Sequence, residues 1–297
     1  FTVAVLSNFW TLEATSAQEA DSVIFPSPAE LEPAISFWKK VYTEVDTDHG
    51  YLHDSQDLSV IYAPLNRNSR EIETFRQRVK DDLDILATGK RTNLSESQEA
   101  ILALWPEDVS NQRLRQAIND VRWQVGQSNA FLEGLERSGA YRDYINNILI
   151  DKSMPLQLAL LPHVESSFNP NAYSHANAAG MWQFTRSTGE EYGLSVGFLS
   201  DDRLNWRKST HSAARYLKKL GDIFNKNWEL ALAGYNGGPN YMKRQMKSQG
   251  TRNFWKLKLR KETHEFVPKF LAMLKVARKK YPEMYFQGAP RAWASSS

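Results

Sequence analysis

Apolar residues recur three or four positions apart along most of this chain, the spacing that places them on one face of an α-helix. In the first half, this pattern predicts helices over 28–45, 72–86, 95–105 and 114–135. Only the stretch 58–62 alternates weakly, as a short strand would. We therefore expect the first half to be mainly helical.

The second half keeps the helical spacing but interrupts it with turns. The pattern predicts a helix over 155–165, a short turn over 187–192, and a helix over 230–235 that breaks at Gly237-Gly238-Pro239. Thr210 is the expected N-cap of another helix, and Pro268 is expected in the first turn of the last one. The fold class predicted for the whole chain is mainly α.

Composition narrows the possible classes of protein. With 297 residues, 41% hydrophobic, 24% charged and a mean hydropathy of -0.54, the chain reads as soluble and globular, with length for about two domains. The net charge is +3, and we interpret the Lys and Arg residues as scattered, which argues against a nucleic-acid partner. No apolar run reaches the length of a transmembrane helix.

The residue types also limit cofactors and metals. Cysteine is absent, which excludes disulfides, thiolate metal sites and cysteine nucleophiles. His49 and His53 are spaced for a metal only if they are helical, and Gly50 opposes that. The sequence has no phosphate-binding loop or dinucleotide fingerprint, so we expect no cofactor and no metal.

The two ends carry separate expectations. Residues 1–17 are apolar and then small, which is typical of the tail of a secretory signal, so export to the periplasm or cell envelope is expected. A short disordered or strand-like N-terminus remains an alternative for this lead-in. Residues 282–297 are expected to be a tail.

The most informative residue is Glu165. An apolar run over 160–164 leads directly into this acid, and a Ser-Ser-Phe-Asn-Pro turn follows over 166–170. A carboxyl at the end of a buried helix loses water, which raises its pKa. A raised carboxyl pKa is what general-acid chemistry on a glycosidic oxygen requires.

Three further blocks follow at ordered spacing. Ser174 comes nine positions later, before Ala-Ala-Gly-Met-Trp-Gln-Phe-Thr over 178–185. Ala-Leu-Ala-Gly-Tyr-Asn-Gly-Gly-Pro spans 231–239, and Glu-Thr-His-Glu-Phe-Val-Pro-Lys spans 262–269. Their hydroxyl, amide and carboxylate groups could bind a carbohydrate.

Together these blocks resemble the lytic transglycosylase family 1 domain, especially the membrane-bound type D enzymes of bacterial cell walls. The resemblance covers about residues 141–281. It implies a lysozyme-like fold, shared with goose-type lysozymes, preceded by a helical region over 26–140 whose role the chemistry does not assign. It also implies peptidoglycan glycan strands as partner, cleaved without water between N-acetylmuramic acid and N-acetylglucosamine to give a 1,6-anhydro product.

The resemblance assigns roles to particular positions. It implies that Glu165 is the catalytic acid and then base, and that the substrate-binding residues are Ser174, Met181, Gln183, Tyr235, Asn236, Glu262 and Phe266. Two positions depart from the family pattern. Gly234 replaces the usual Ala, which would loosen its turn, and Phe266 replaces a Tyr whose hydroxyl often lies beside the acid.

Other readings stay open at this point. Instead of binding substrate, Ser174 could hold a turn, Met181 could be a core residue, and Glu262 could be a charge favoured at the start of a helix. A hydrolase of the goose-lysozyme kind would need Asp201, Asp202 or Glu262 as a second acid to activate water. An inactive peptidoglycan-binding scaffold would account for the two departures.

Overall fold

The computed structural model describes residues 24–197 and 199–280, and these residues form a mainly α-helical protein, as the sequence predicts. Of the expected lead-in 1–25, residues 1–23 lie outside the described residues, and so does the whole of the expected tail 282–297. Twelve α-helices and three strands occur in the described part: α1 Glu32–Thr43, β1 His49–Asp54, β2 Ile61–Asn66, α2 Ser69–Ala87, α3 Glu96–Leu102, α4 Asn111–Ala117, β3 Val121–Val125, α5 Ser128–Ser138, α6 Arg142–Asp151, α7 Leu161–Ser166, α8 Arg186–Glu191, α9 Trp206–Ile223, α10 Trp228–Gly237, α11 Pro239–Gln249 and α12 Lys261–Lys280. Short 3-10 helices occur at Ala29–Leu31, Leu156–Leu160 and Phe254–Lys256.

The described residues divide into two compact units, one of residues 32–133 and one that joins residues 24–31 to residues 134–197 and 199–280. The first unit is built on an antiparallel sheet of order β2-β1-β3. Leu52 on β1 joins a core with α2, α3 and α4, whereas its neighbour His53 contacts Phe37 of α1 at 4.6 Å between ring centroids. The central strand is therefore covered on both faces, which explains why five of its six residues are buried.

The second unit is organised around α10. Residues 228–234 of this helix are all buried, because it packs against α9, α11 and α12. The last residues of α10, from Tyr235 to Gly237, emerge half-buried at its C-terminal end. The buried part of α10 therefore fixes the position of the polar residues at its C-terminal end.

Three sequence predictions are wrong in detail. The stripe over 114–135 is not one helix, because residues 121–125 alternate in their side-chain directions and pair with β1 instead. Thr210 lies inside α9, whose N-cap is Asn205, and its hydroxyl donates to the Trp206 carbonyl. Pro268 lies inside α12, which begins at Lys261.

Candidate active site

Glu165 is the penultimate residue of the six-residue helix α7. The helix stops there because Ser167 adopts a left-handed conformation with φ 50°, and its N–H donates to the His163 carbonyl at 3.2 Å. The next N–H, that of Phe168, donates to the Pro162 carbonyl at 3.1 Å, and Arg137 Nε donates to the Ser167 carbonyl at 2.9 Å. This closed turn fixes the position of the acid one residue before the end of the helix.

The surroundings of Glu165 favour its protonated form. Its side chain is half-buried, and loss of water raises its pKa to about 8. The negative charge of Glu262 contributes to this rise and the positive charge of Lys269 opposes it, and the pKa of about 8 includes both effects. The carboxyl is therefore largely protonated at neutral pH, which is the state of a general acid.

One face of α12 lines the site with charged side chains. Glu262, Glu265 and Lys269 are spaced three and four residues apart and so share this face. Lys269 Nζ lies 3.8 Å from Glu265 Oε2. Burial lowers the pKa of Lys269, whereas the negative charges of Glu265, Glu262 and Glu165 act to raise it. The lysine is thus held among three carboxyl groups, one of which is the candidate acid.

The end of α10 forms a second side of the site. The Tyr235 hydroxyl donates to the Trp182 carbonyl at 2.7 Å, and its ring packs against Tyr216 with centroids 5.2 Å apart. Burial and then the charge of Glu165 raise the pKa of Tyr235. Asn236 Nδ2 lies 3.5 Å from Glu262 Oε1, so α10 and α12 meet at this point through polar groups.

The segment 172–184 forms a third side and is held from outside by Arg203. The Arg203 guanidinium donates to the Phe184 carbonyl at 3.1 Å and pairs with Asp201 at 2.7 Å. Gly180 has φ +80°, and a Cβ there would lie 1.9 Å from the Arg203 carbonyl oxygen, so only glycine fits. The Ser166 hydroxyl donates to the Met181 carbonyl at 2.8 Å, which joins this segment to the residue after Glu165.

The predicted substrate-binding residues differ in how the structure uses them. Gln183 is half-buried and donates its amide to the Gly180 carbonyl at 2.8 Å. Ser174 is half-buried, and its hydroxyl oxygen accepts the Ala178 N–H at 3.0 Å, so it holds a turn. Met181 is 0% exposed and Phe266 is 5% exposed, which places both in the core rather than on an open surface. The roles of all seven residues in substrate binding stay predictions.

The expectation that Gly234 loosens its turn is not what the packing indicates. A Cβ on Gly234 would lie 2.8 Å from the Phe224 ring and 3.2 Å from a Leu220 methyl carbon. The Tyr216 hydroxyl donates to the Gly234 carbonyl at 3.2 Å. The Phe224 ring thus occupies the space that an alanine methyl group would fill, and α10 is tightly packed at Gly234.

Sequence reasoning did not single out Lys269 or Arg203. The signal for Lys269 is its spacing of seven residues from Glu262, two helical turns along the same face. Arg203 offers no such signal, because its contacts with the segment 172–184 arise only in the folded chain.

Among residues 24–197 and 199–280, no group of three His, Asp or Glu side chains is arranged to hold a metal ion. No helix within the same residues is long and apolar enough to cross a bilayer.

Comparison with known proteins places these features in a family. Residues 145–258, which include α7, the segment 172–184, α10 and α11, match the family described as Transglycosylase SLT domain. This segment is therefore similar to a transglycosylase SLT domain. The family predicted from the motifs is thereby confirmed for this part of the chain.

The similarity extends to curated and solved proteins. Over 141 residues the chain is 39% identical to membrane-bound lytic murein transglycosylase D of Escherichia coli K12, an alignment that covers 46% of this chain and 31% of that protein. The chain thus matches about a third of the length of this relative. An X-ray structure of an inactive mutant of lytic transglycosylase Slt from Pseudomonas aeruginosa aligns over 49% of this chain and 25% of that chain, with 20% identity and a TM-score of 0.37, which is too low to support an argument.

Proposed function

We propose that this chain is a peptidoglycan lytic transglycosylase that cleaves the bond between N-acetylmuramic acid and N-acetylglucosamine without water. The observation that carries this proposal is Glu165, a half-buried carboxyl with a pKa raised to about 8 in an SLT domain. The proposed reaction requires export of the protein to the periplasm or cell envelope, where the glycan strands lie.

The reaction uses one protein carboxyl twice. Protonated Glu165 donates its proton to the glycosidic oxygen, and the bond from that oxygen to C1 of the muramyl sugar breaks. The resulting carboxylate then takes the proton of the muramyl 6-hydroxyl as this oxygen bonds to C1, which regenerates the acid and closes the 1,6-anhydro ring. Because nucleophile and electrophile belong to one sugar, the attack has the advantage of an intramolecular reaction.

The surrounding charges suit both steps. The desolvated site and Glu262 keep Glu165 protonated before the first step, and Lys269 stabilises the carboxylate that the first step leaves behind. Asn236, Gln183 and Glu262 supply polar groups for the sugar hydroxyl and acetamido groups, whereas Tyr235 positions the segment that carries Gln183.

A hydrolase of the same fold is the second candidate. Of the three acids it could use, Asp201 is paired with Arg203, and Asp202 is paired with Lys208 at 2.7 Å. Only Glu262 acts on the pKa of Glu165, so Glu262 is the one acid available to activate a water molecule.

The mass of the released muropeptides distinguishes the candidates. We expect purified peptidoglycan digested with the native chain to yield 1,6-anhydro products, each lighter by one water than the hydrolytic product. The Glu165→Gln chain should release neither, because its amide cannot donate and then accept the proton. Reducing ends carrying the added water would contradict the transglycosylase and favour the hydrolase, and equal inertness of both chains would favour a binding scaffold.

A further inference from the structure

A group of exposed basic side chains lies beside the candidate site, and we call it the basic surface. Over residues 239–261 the chain has no Asp or Glu and eight basic residues: Lys243, Arg244, Lys247, Arg252, Lys256, Lys258, Arg260 and Lys261. All eight are exposed. The rest of the chain has 29 Lys and Arg against 34 Asp and Glu, so the expected scatter of basic residues is wrong for this region.

These residues form one connected surface because the segment after α11 folds back along that helix. The Gln249 amide donates to the Lys258 carbonyl at 2.9 Å and accepts the Lys258 N–H at 2.8 Å. The Arg260 N–H donates to the Tyr241 hydroxyl at 2.7 Å, and the Arg260 guanidinium lies 4.1 Å from the centre of the Tyr241 ring. The cations of α11 and of the returning segment therefore share one side of the unit.

Little negative charge balances this surface. Lys261 pairs with Glu265 at 3.7 Å, and none of the other seven cations forms an ion pair with a carboxylate of the described residues. Elsewhere in the same unit Arg203, Lys208 and Lys226 each pair with an aspartate. Concentrated, unbalanced positive charge of this kind attracts an anionic partner.

The basic surface begins where the acidic side of the site ends. Arg260 Nη2 donates to the Gly237 carbonyl at 3.0 Å, and Gly237 follows the candidate site residue Asn236. Arg260 also precedes Glu262 by only two residues. A polymer that occupies the site can therefore reach the basic surface without leaving the protein.

The composition of the surface favours a water-soluble anion over a lipid or nucleic acid. None of its large apolar side chains is exposed: Met242, Phe254 and Leu257 are buried, and Met246, Trp255 and Leu259 are half-buried. A membrane-binding segment presents such groups outward. The Tyr241 ring is covered by Arg260 and is not offered to a nucleic-acid base for stacking.

We propose that the basic surface binds free carboxylates of the peptide stems on the peptidoglycan strand held in the site, a proposal that rests on the proposed function. The acidic groups Glu262 and Glu265 repel the stem carboxylates from the cleft, and the basic surface attracts them. Opposed potentials of this kind orient a polymer and set its register.

The test uses two matched pairs of charge removals in the full chain carrying Glu165→Gln, so that the strand is bound without being cleaved. One pair is Lys243→Gln with Lys247→Gln on α11. The control pair is Lys218→Gln with Lys219→Gln, two exposed lysines on α9 of the same unit. Binding is measured by co-sedimentation with intact peptidoglycan, with glycan strands stripped of stems by an amidase, and with phosphatidylglycerol vesicles.

We expect the α11 pair to weaken binding to intact peptidoglycan roughly threefold to tenfold, and the control pair to leave it nearly unchanged. The difference should vanish on stripped strands and shrink in about 0.5 M salt, where exposed charges are screened. Equal loss on stripped strands, equal loss in the control pair, or tighter binding to vesicles that the α11 pair abolishes would each overturn the proposal.

Failure of the proposed function gives a different result. Stem-dependent binding that survives alongside hydrolytic products would overturn the transglycosylase reaction alone. Conversely, 1,6-anhydro products from the native chain without any stem-dependent binding would overturn only the role of the basic surface.

Discussion

At the residue scale, the candidate site centres on one carboxyl whose pKa is set by desolvation and by two charges of opposite sign. Desolvation and Glu262 favour the neutral acid, and Lys269 favours the carboxylate. A residue that must donate and then accept a proton benefits from both influences, because neither protonation state is then too stable to leave.

Removal of the Lys269 charge should therefore shift the pH dependence of cleavage. With Lys269→Met we expect the alkaline limb of kcat/KM to move up by about half to one pH unit, because the ionised form of Glu165 loses a stabilising cation. The pH profile of muropeptide release measures this shift. Lys279→Gln, an exposed charge further along α12, is the control and should leave the limb in place. An unmoved limb in Lys269→Met would show that this lysine has no influence on the acid.

At the element scale, α10 is the support on which the site is built. Its buried residues fix the polar end from Tyr235 to Gly237, and the Phe224 ring of the preceding turn occupies the space beside Gly234. Packing at protein-interior density leaves no room for an added methyl group there.

A methyl group at this position should be costly. We expect Gly234→Ala to lower the free energy of unfolding by about 1–3 kcal/mol and to reduce cleavage, because the helix must shift away from Phe224. Urea unfolding measures the first effect and muropeptide release the second. Gly139→Ala is the control, since its Cβ would meet only the Glu136 carbonyl at an ordinary 3.4 Å.

A second substitution tests the cause of that loss. Combining Gly234→Ala with Phe224→Leu should recover part of the stability lost by the two single changes, because leucine gives the methyl group space. Additive losses in the double variant would exclude Phe224 as the source of the clash.

At the scale of the whole molecule, the buried acids make stability depend on pH. The pKa of Glu165 is raised to about 8, and burial raises that of Glu229, which is 4% exposed, to about 7. In the unfolded chain both ionise near the ordinary value of 4.5. The folded state therefore holds extra protons between these values, and its stability is full below pH 4.5 and falls as the pH rises through 7 and 8.

Neutral amides should remove this loss. At pH 8.5, we expect the free energy of unfolding of the Glu165→Gln chain to exceed that of the native chain by roughly 1–3 kcal/mol. At pH 5, the two free energies of unfolding should be about equal. The gain is smaller than the full pKa shift would give, because water reaches the half-buried side chain. Urea unfolding at the two pH values is the measurement.

Glu229→Gln and an exposed control complete the comparison. The gain in free energy of unfolding from Glu229→Gln should be complete by about pH 7.5, one unit below the pH needed for Glu165→Gln, because the pKa of Glu229 is lower than that of Glu165. Glu107→Gln, in an exposed loop, should leave both free energies of unfolding unchanged. Parallel stability curves for the native chain and both buried variants would contradict the assigned protonation states.

The sequence by itself determined the helical class and the family that residues 145–258 match, and it nominated Glu165 as the candidate acid. These properties follow from local spacing and from ordered short motifs, which are visible along the chain. The strand over 121–125 was missed because its pairing with β1 is a contact between distant segments that outweighs local helical spacing.

Only the tertiary structure decided how that acid is surrounded. Lys269, Arg203 and Phe224 each act on the site or its support from a different element of the fold, and their effects depend on distance and burial. The basic surface likewise exists as one surface because the segment after α11 turns back on that helix. Electrostatic and steric effects act through space, so a linear pattern can nominate charged residues but cannot show which of them meet.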